Sequence, residues 1–286
     1  MHFRQIYIEI TNECNLSCSF CVQNHQNIRY LSIEKFERIL KQVKPYTSYI
    51  YLHVLGEPLL HPKMEQILKL CKQYGFYVNI TTNGTLLKKQ KELLQKYPVR
   101  QINVSLHSFS WQSPEIQKYY MKDVMETCDA LSDTTYISYR LWCMRDGVLD
   151  KEASEILGQL KKHYQCETLV KDTLAPKRYI SFEEVFRWPS LKDSICSTTG
   201  FCRGLKDMFA ILSNGDVVPC CLDAYAQEKL GNVFKQDLDF ILQSQRVQDI
   251  RQGFYDQKIK SPLCQRCQYR LRFNKKKGSQ RFALKQ

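Results

Sequence analysis

Apolar and polar residues alternate in short bursts along the first two thirds of the chain, and longer stretches of helical periodicity separate the bursts. Residues 6–10 alternate strictly, with Ile6, Ile8 and Ile10 on one side and Tyr7 and Glu9 on the other, which predicts a half-buried strand. After it, Ile33, Phe36, Ile39, Leu40 and Val43 recur at helical spacing behind Ser32, a suitable N-cap, and Pro45 closes the run. The alternation then repeats: strands over 49–55, 76–81, 101–106, 135–142 and 168–172, and helices over 62–73, 88–95, 114–131 and 149–163. Strand follows helix about six times with no hairpin-like pair between, so parallel strands joined by helical crossovers are expected. A doubly wound sheet and a barrel both satisfy this pattern.

Beyond about Asp193 the alternation stops. Residues 208–220 read as a hairpin, with Asn214-Gly215 as the turn between two apolar strands. The chain therefore divides into a β/α part over 1–190, a smaller part over 191–273, and a basic tail over 274–286 that holds Lys275, Lys276 and Lys277.

The chemistry lies in the cysteines, 13 in 286 residues. Cys14, Cys18 and Cys21 follow the first strand at C-x3-C-x2-C spacing, so they fall on the loop at its C-terminal end. Three thiolates on one short loop can converge on a single inorganic centre. A [4Fe–4S] cube takes four ligands, and three protein ligands would leave one iron open. Part of a zinc site is the alternative, although structural zinc favours four ligands in paired knuckles. In the second part, Cys202, Cys220, Cys264 and Cys267 could close a second centre, either iron–sulfur or tetrahedral zinc, with Cys196 as an alternative ligand and Cys221 to spare. Cys71, Cys128, Cys143 and Cys166 fall within predicted helices or strands and read as core residues.

The spacing, with Phe20 immediately before the last cysteine, resembles that of the radical S-adenosylmethionine (SAM) enzymes. The resemblance extends along the chain. Gly56-Glu57-Pro58 ends the second strand where the family has a GGEP-like motif, though Leu55 replaces its first glycine. Asn83 closes the third strand, Ser105 ends the fourth, and Ser138 and Arg140 share one face of the fifth. His107 stands where an Asp is common. The C-terminal cysteine pattern is similar to the Twitch domain, the shortened form of the SPASM extension.

That resemblance implies a fold and a set of roles. The fold is α/β, a partial (β/α)6 TIM-like barrel with a small cysteine-rich hairpin-plus-helix extension, and its site lies at the C-terminal strand ends. Cys14, Cys18 and Cys21 would hold a [4Fe–4S] cluster whose open iron chelates SAM. An electron from the cluster would cleave SAM to a 5′-deoxyadenosyl radical, which abstracts a substrate hydrogen. Phe20, Gly56, Glu57, Pro58, Asn83, Ser105, Ser138 and Arg140 would surround SAM; Arg140 would take its carboxylate, and Arg145 would face the substrate. An auxiliary [4Fe–4S] cluster on Cys202, Cys220, Cys264 and Cys267 would accept an electron in a net oxidation. Expected partners are a flavodoxin or ferredoxin as electron donor, and a small-molecule, carbohydrate or peptide substrate.

The bulk numbers narrow the picture without deciding it. No run approaches the roughly 20 apolar residues of a membrane span, and no secretory segment precedes the first strand, so a cytoplasmic protein is expected. The net charge of +13 points to an acidic partner, either an electron carrier or RNA. An RNA-acting or RNA-binding protein is the alternative reading. Residues 269–273, Tyr-Arg-Leu-Arg-Phe, are the one stretch that interleaves basic and aromatic residues.

Overall fold

The computed structural model describes residues 1–22 and 27–274. The expected parallel strands form. In chain order, β1 (Gln5–Ile8), β2 (Tyr49–Tyr51), β3 (Tyr77–Thr82), β4 (Gln101–Ser105) and β5 (Tyr136–Met144) lie side by side. They are joined by α1 (Ile33–Val43), α2 (Met64–Gln73), α3 (Lys91–Lys96) and α4 (Pro114–Leu131), and α5 (Lys151–His163) follows β5. Ser32 caps α1 by accepting from the Lys35 amide at 3.3 Å, and Phe36, Ile39, Leu40 and Val43 are buried on its inner face. Each such side chain contributes about 1.5–3 kcal/mol on leaving water.

The sixth parallel strand departs from the expectation. Residues 168–172 form no named strand; instead β6 (Thr173–Ala175) turns back antiparallel on β7 (Arg178–Glu184), and β7 pairs parallel with β5. The chain thus contains a hairpin where none was expected. Lys171, Asp172 and Lys177 all have positive φ, a backbone state that hydropathy periodicity does not register.

The hairpin of the second part forms as β8 (Met208–Ile211) and β9 (Asp216–Val218), with a short β10 (Gly231–Asn232) beyond. Its placement was not foreseen. β8 pairs parallel with β1, Gln5 opposite Met208 through Ile8 opposite Ile211, so the extension continues the same ten-stranded sheet. Helices α6 (Leu238–Gln243), α7 (Gln245–Tyr255) and α8 (Pro262–Arg266) complete it. Among the described residues no helix is long and apolar enough to cross a membrane.

The core lies between strands and helices. Ile6, Ile8, Ile50, Leu52, Val78, Ile80, Ile102, Val104, Ile137 and Leu141 all point that way and are buried. The opposite strand faces carry Tyr7, Tyr51, Asn79 and Gln101 in one row across the pairings, Asn103 and Ser138 in the next, and Arg140 opposite Ser105 in the one above. A closed α/β barrel fills that inner space with branched aliphatics. This half-barrel has a polar and aromatic lumen instead.

Candidate active site

The loop carrying Cys14, Cys18 and Cys21 leaves the C-terminal end of β1 and crosses the end of β2. Gly56 makes the crossing possible. Its φ is +77°, and a Cβ there would lie 2.6 Å from the Thr11 carbonyl oxygen and 2.7 Å from that of Glu13. Its glycine character therefore serves the cysteine loop, which runs against it. The Glu57 amide donates to the Glu13 carbonyl at 2.7 Å, fixing the same crossing. A turn from the Cys21 amide to the Cys18 carbonyl at 3.1 Å brings the second and third cysteines round.

The side chain of Glu57 points inward rather than into open space. It is buried, and its two oxygens accept from the Leu59 amide at 3.0 Å and the Asn83 amide at 2.7 Å. Burial pushes its carboxyl up to about 7. It therefore joins the ends of β2 and β3, and what the turn can offer a ligand is backbone. Pro58 opens a short 3-10 turn over Pro58–Leu60. Asn83 binds the cysteine loop as well: its amide nitrogen donates to Asn15 Oδ1 at 2.8 Å and lies 3.8 Å from the Cys14 sulfur.

The three loop thiols are close enough to repel one another as thiolates. Burial first, and then neighbouring Cys14 and Cys21, push Cys18 up to about 12; burial and Cys14 push Cys21 up to about 11; burial raises Cys14. Left alone, this trio stays protonated. A cationic iron centre reverses that balance, so the donor set suits a metal cluster better than free thiolates.

Above the middle of the lumen is a cavity of about 420 Å³. Phe20 and Cys21 wall it on one side, with His53, Thr81, Ser105, His107, Arg140 and Trp142 from the strand ends, Arg145 beyond β5, and Cys221 opposite. Of the predicted residues, Phe20, Ser105, Arg140 and Arg145 are thus brought to the space that Cys21 faces, and Gly56, Glu57, Pro58 and Asn83 are not among its lining. Ser138 lies one lumen position below Arg140 and is not among the lining residues. Arg140 has its guanidinium 4.4 Å from the Trp142 ring and a long bond to Thr81 Oγ1 at 3.4 Å. It forms no ion pair with a carboxylate among the described residues, so its charge is free for an anionic ligand. His53 Nδ1 is buried with no hydrogen-bond partner among the described residues. Burial and the Arg140 charge hold His53 down to about 3, so it is neutral at pH 7. His107, pushed down to about 4 mainly by burial, packs its ring 5.1 Å from that of Phe20 and donates from Nδ1 to the Arg140 carbonyl at 3.1 Å.

Several of these residues were invisible to motif reading. His53, Trp142 and Cys221 reach the cavity because strand alternation or the hairpin brings them there. All three tryptophans of the chain, Trp111, Trp142 and Trp188, line it. Trp188 also donates to the Phe20 carbonyl at 3.1 Å, tying the segment before the extension to the cysteine loop. For His53 a signal existed: it shares the inward face of β2 with Tyr49 and Tyr51.

The second cysteine set is assembled from three separate segments. Burial raises the Cys220 thiol, and the charges of Cys221, Cys202, Cys264 and Cys267 raise it further. Cys202, Cys264 and Cys267 are likewise raised, burial first; Cys267 reaches about 11. Arg270 joins two of these segments, those of Cys202 and Cys264. It is fully buried, and its three nitrogens donate to the carbonyls of Cys264 (3.1 Å), Thr199 (2.9 Å) and Ser197 (3.0 Å). The basic-aromatic run 269–273 is therefore structural: Arg272 stacks on Tyr269 at 3.7 Å and pairs with Glu183. Cys196 spends its thiol on the Gln265 carbonyl at 3.1 Å. Gly215, with φ +87°, has no room for a Cβ against Phe234 at 2.4 Å, which accounts for the glycine of the Asn214-Gly215 turn.

One residue that the motifs missed joins the two parts. Glu9, buried at the end of β1, accepts from the Leu55 amide at 3.2 Å and from both the amide (3.2 Å) and hydroxyl (2.7 Å) of Ser213. It therefore links the turn after β2 to the hairpin of the extension.

Residues 8–158 match the family described as the radical SAM superfamily. That span is more than half of the chain. The chain belongs to the radical SAM superfamily. Residues 202–268 match an iron–sulfur cluster-binding domain, SPASM. The cofactors of such a chain are a SAM-binding [4Fe–4S] cluster, SAM, and a second [4Fe–4S] cluster. Among the described residues no three Cys, His, Asp or Glu side chains are gathered tightly enough to hold a single metal ion; a four-iron cube takes one thiolate per iron and so spreads its ligands.

Among curated relatives, the radical SAM chain is 35% identical over 98 residues to a tungsten-containing aldehyde ferredoxin oxidoreductase cofactor-modifying protein of Pyrococcus furiosus, covering 32% of this chain and 28% of that protein. It is 21% identical over 262 residues to GTP 3′,8-cyclase of Aliarcobacter butzleri, covering 74% and 78%. The chain spans about a third of the length of the first curated relatives that it matches. The crystal structure of BtrN in complex with AdoMet and 2-DOIA superposes with a TM-score of 0.62 at 16% identity over 94% of both chains, a likeness of fold.

Proposed function

We propose that this radical SAM protein is an enzyme that abstracts hydrogen from a small polar molecule, a carbohydrate or a peptide and oxidises it. The observation that carries this reading is the shared cavity: Cys21 of the first cysteine loop and Cys221, next to Cys220 of the second set, face the same space. In this reading Cys14, Cys18 and Cys21 hold the cluster that supplies reductive SAM cleavage. Cys202, Cys220, Cys264 and Cys267 hold the auxiliary one, and residues 191–273 act as its domain.

The protein's own groups then bind and aim. Phe20, the backbone of the Gly56–Pro58 turn, Asn83 and Ser105 border the SAM position at the strand ends. Ser138, below the cavity, supports Arg140, which supplies an unpaired guanidinium for a carboxylate; a bidentate fork suits that anion. Neutral His53 offers Nδ1 as a hydrogen-bonding site, and Arg145 faces the substrate side. Electrons would come from a flavodoxin or ferredoxin. Cys21 and the direct neighbour of Cys220 at one cavity favour oxidation, because a substrate radical formed there would have an electron acceptor close by.

The test is anaerobic. Reconstituted protein should carry about eight irons and, with SAM and dithionite, release 5′-deoxyadenosine. Full iron loading without 5′-deoxyadenosine would overturn the catalytic reading. Arg140→Gln should raise the KM for SAM by about tenfold or more, because it removes an unpaired cation from the cavity wall near the first cysteine loop.

A further inference from the structure

The opposite end of the lumen carries a second constellation. At the N-terminal ends of the strands, Tyr49 of β2, Tyr77 of β3, Tyr136 of β5 and Tyr179 of β7 are exposed by 38%, 56%, 41% and 36%. Tyr49 and Tyr77 are stacked cross-strand neighbours with centroids 5.0 Å apart; Tyr136 and Tyr179 lie 6.4 Å apart. Between the two pairs sits Arg100, its guanidinium 5.4 Å from the Tyr49 ring and 5.7 Å from the Tyr136 ring. Its NH1 nitrogen donates to Asn79 Oδ1 and Gln101 Oε1, both at 3.1 Å. No carboxylate pairs with it among the described residues, so it is a positively charged plane framed by four exposed rings.

This floor is separated from the cavity above. The stacked rings of Tyr7 and Tyr51, 4.8 Å apart, and a bonded series from Gln101 through Asn103 to Thr81 fill the lumen between them. From Tyr136 to Trp142 the strand runs about 20 Å at its usual rise of about 3.4 Å per residue. That is a long way for an electron donor to stand from the first cysteine loop, so reduction gives the floor no reason to be exposed.

We propose that this floor is a docking site for single-stranded nucleic acid, with bases stacking on the tyrosines and Arg100. Composition favours a nucleic acid over a protein partner. The floor combines aromatic planes with Arg, Gln and Asn, and among the described residues no large aliphatic side chain of these strand ends is exposed. The core of a protein interface is more apolar. Flat rings, a guanidinium plane and amide side chains are the groups that stack unpaired bases and bond their edges. Charge agrees: the chain carries +13; Lys44, in the turn between α1 and β2, reaches the Gly75 carbonyl just before β3, and Lys177, just before β7, reaches the Asp133 carbonyl. Acidic residues also stand at this end: Asp133, Asp172 beside β7, and Asp207, whose carbonyl takes the amides of Arg4 and Gln5 at the start of β1. The site needs neither SAM nor reductant, so it stands or falls separately from the catalytic reading.

The experiment titrates iron-loaded full-length protein into a fluorescein-labelled single-stranded RNA of about twelve nucleotides and follows anisotropy. Saturable binding at about 50 mM salt is expected, weakening at least tenfold by about 200 mM. Tyr77→Ala and Tyr136→Ala should each weaken it about tenfold, Tyr77→Phe should preserve it, and Arg100→Gln should weaken it and lower the salt slope by about 0.7. Iron content and melting midpoint show that each variant is folded, and the variants lie on three different strands or turns, so loss of one leaves the test intact. Four results would overturn the proposal: no saturable binding; equal binding of an abasic strand; equal competition by poly-glutamate, which would mark an acidic protein site; or loss of binding on deleting 275–286 with the tyrosine variants unchanged.

Discussion

The two cysteine sets solve the same chemical problem in opposite ways. The first is local: three cysteines within eight residues ride on one loop, held from outside by Gly56, Asn83 and Trp188. The second is assembled: Cys202, Cys220 and the Cys264/Cys267 pair come from distant segments, and buried Arg270 ties the segment before Cys202 to Cys264 through three carbonyls. A local loop with three sulfurs can leave a corner open to a ligand. A buried four-sulfur set is closed, suited to holding or passing electrons. The difference predicts that each set can be lost without the other.

The largest separation should come from Cys18→Ala. It removes one of the three proposed ligands, so 5′-deoxyadenosine release should fall below detection while about four of about eight irons remain. Loss of both clusters would show that the sets are interdependent. Next is Arg270→Ala, which leaves carbonyls unsatisfied in a buried site. A loss of about 3 kcal/mol in stability is expected, with iron falling by about half and SAM binding retained. If SAM binding went and the second cluster stayed, the assignment of Arg270 to the second set would be wrong.

Gly56→Ala acts on the local set from outside. The added Cβ meets two carbonyl oxygens under 3 Å at a positive φ, so a cost of about 2–4 kcal/mol is expected. Loss of the first cluster should accompany it, read by iron content and the absorbance of the second. The smallest effect concerns pH. Glu57 has a folded-state value near 7, above its ordinary 4.5. Between those values the folded chain keeps a proton that the unfolded chain has released, so stability falls as pH rises through this window, by at most about 1.4 kcal/mol per unit. Glu57→Gln should flatten that slope in urea titrations at pH 5 to 7; an unchanged slope would assign the dependence to another group.

How much of this was legible in the chain differs element by element. The parallel strands and α1 with its Ser32 cap could be read because burial on one face imposes periods of two and 3.6 residues. β7 was misplaced because positive-φ turns, not hydropathy, set where it begins. The reason for Gly56 could be read only in part: a glycine was expected near a ligand, but the close approach is made by the cysteine loop itself. Glu57 and Arg270 were legible as residues but not as roles, because both act on backbone atoms that only the fold brings near.

The order of residues alone determined the cysteine spacings, the β/α alternation and the family, because these depend on neighbours close in the chain. The tertiary structure alone decided that β8 lies beside β1, that Cys221 and Cys21 face one cavity, and that four tyrosines surround Arg100 at the far mouth. Those facts depend on strand register, and register places side by side residues whose separation in the sequence carries no record of the contact.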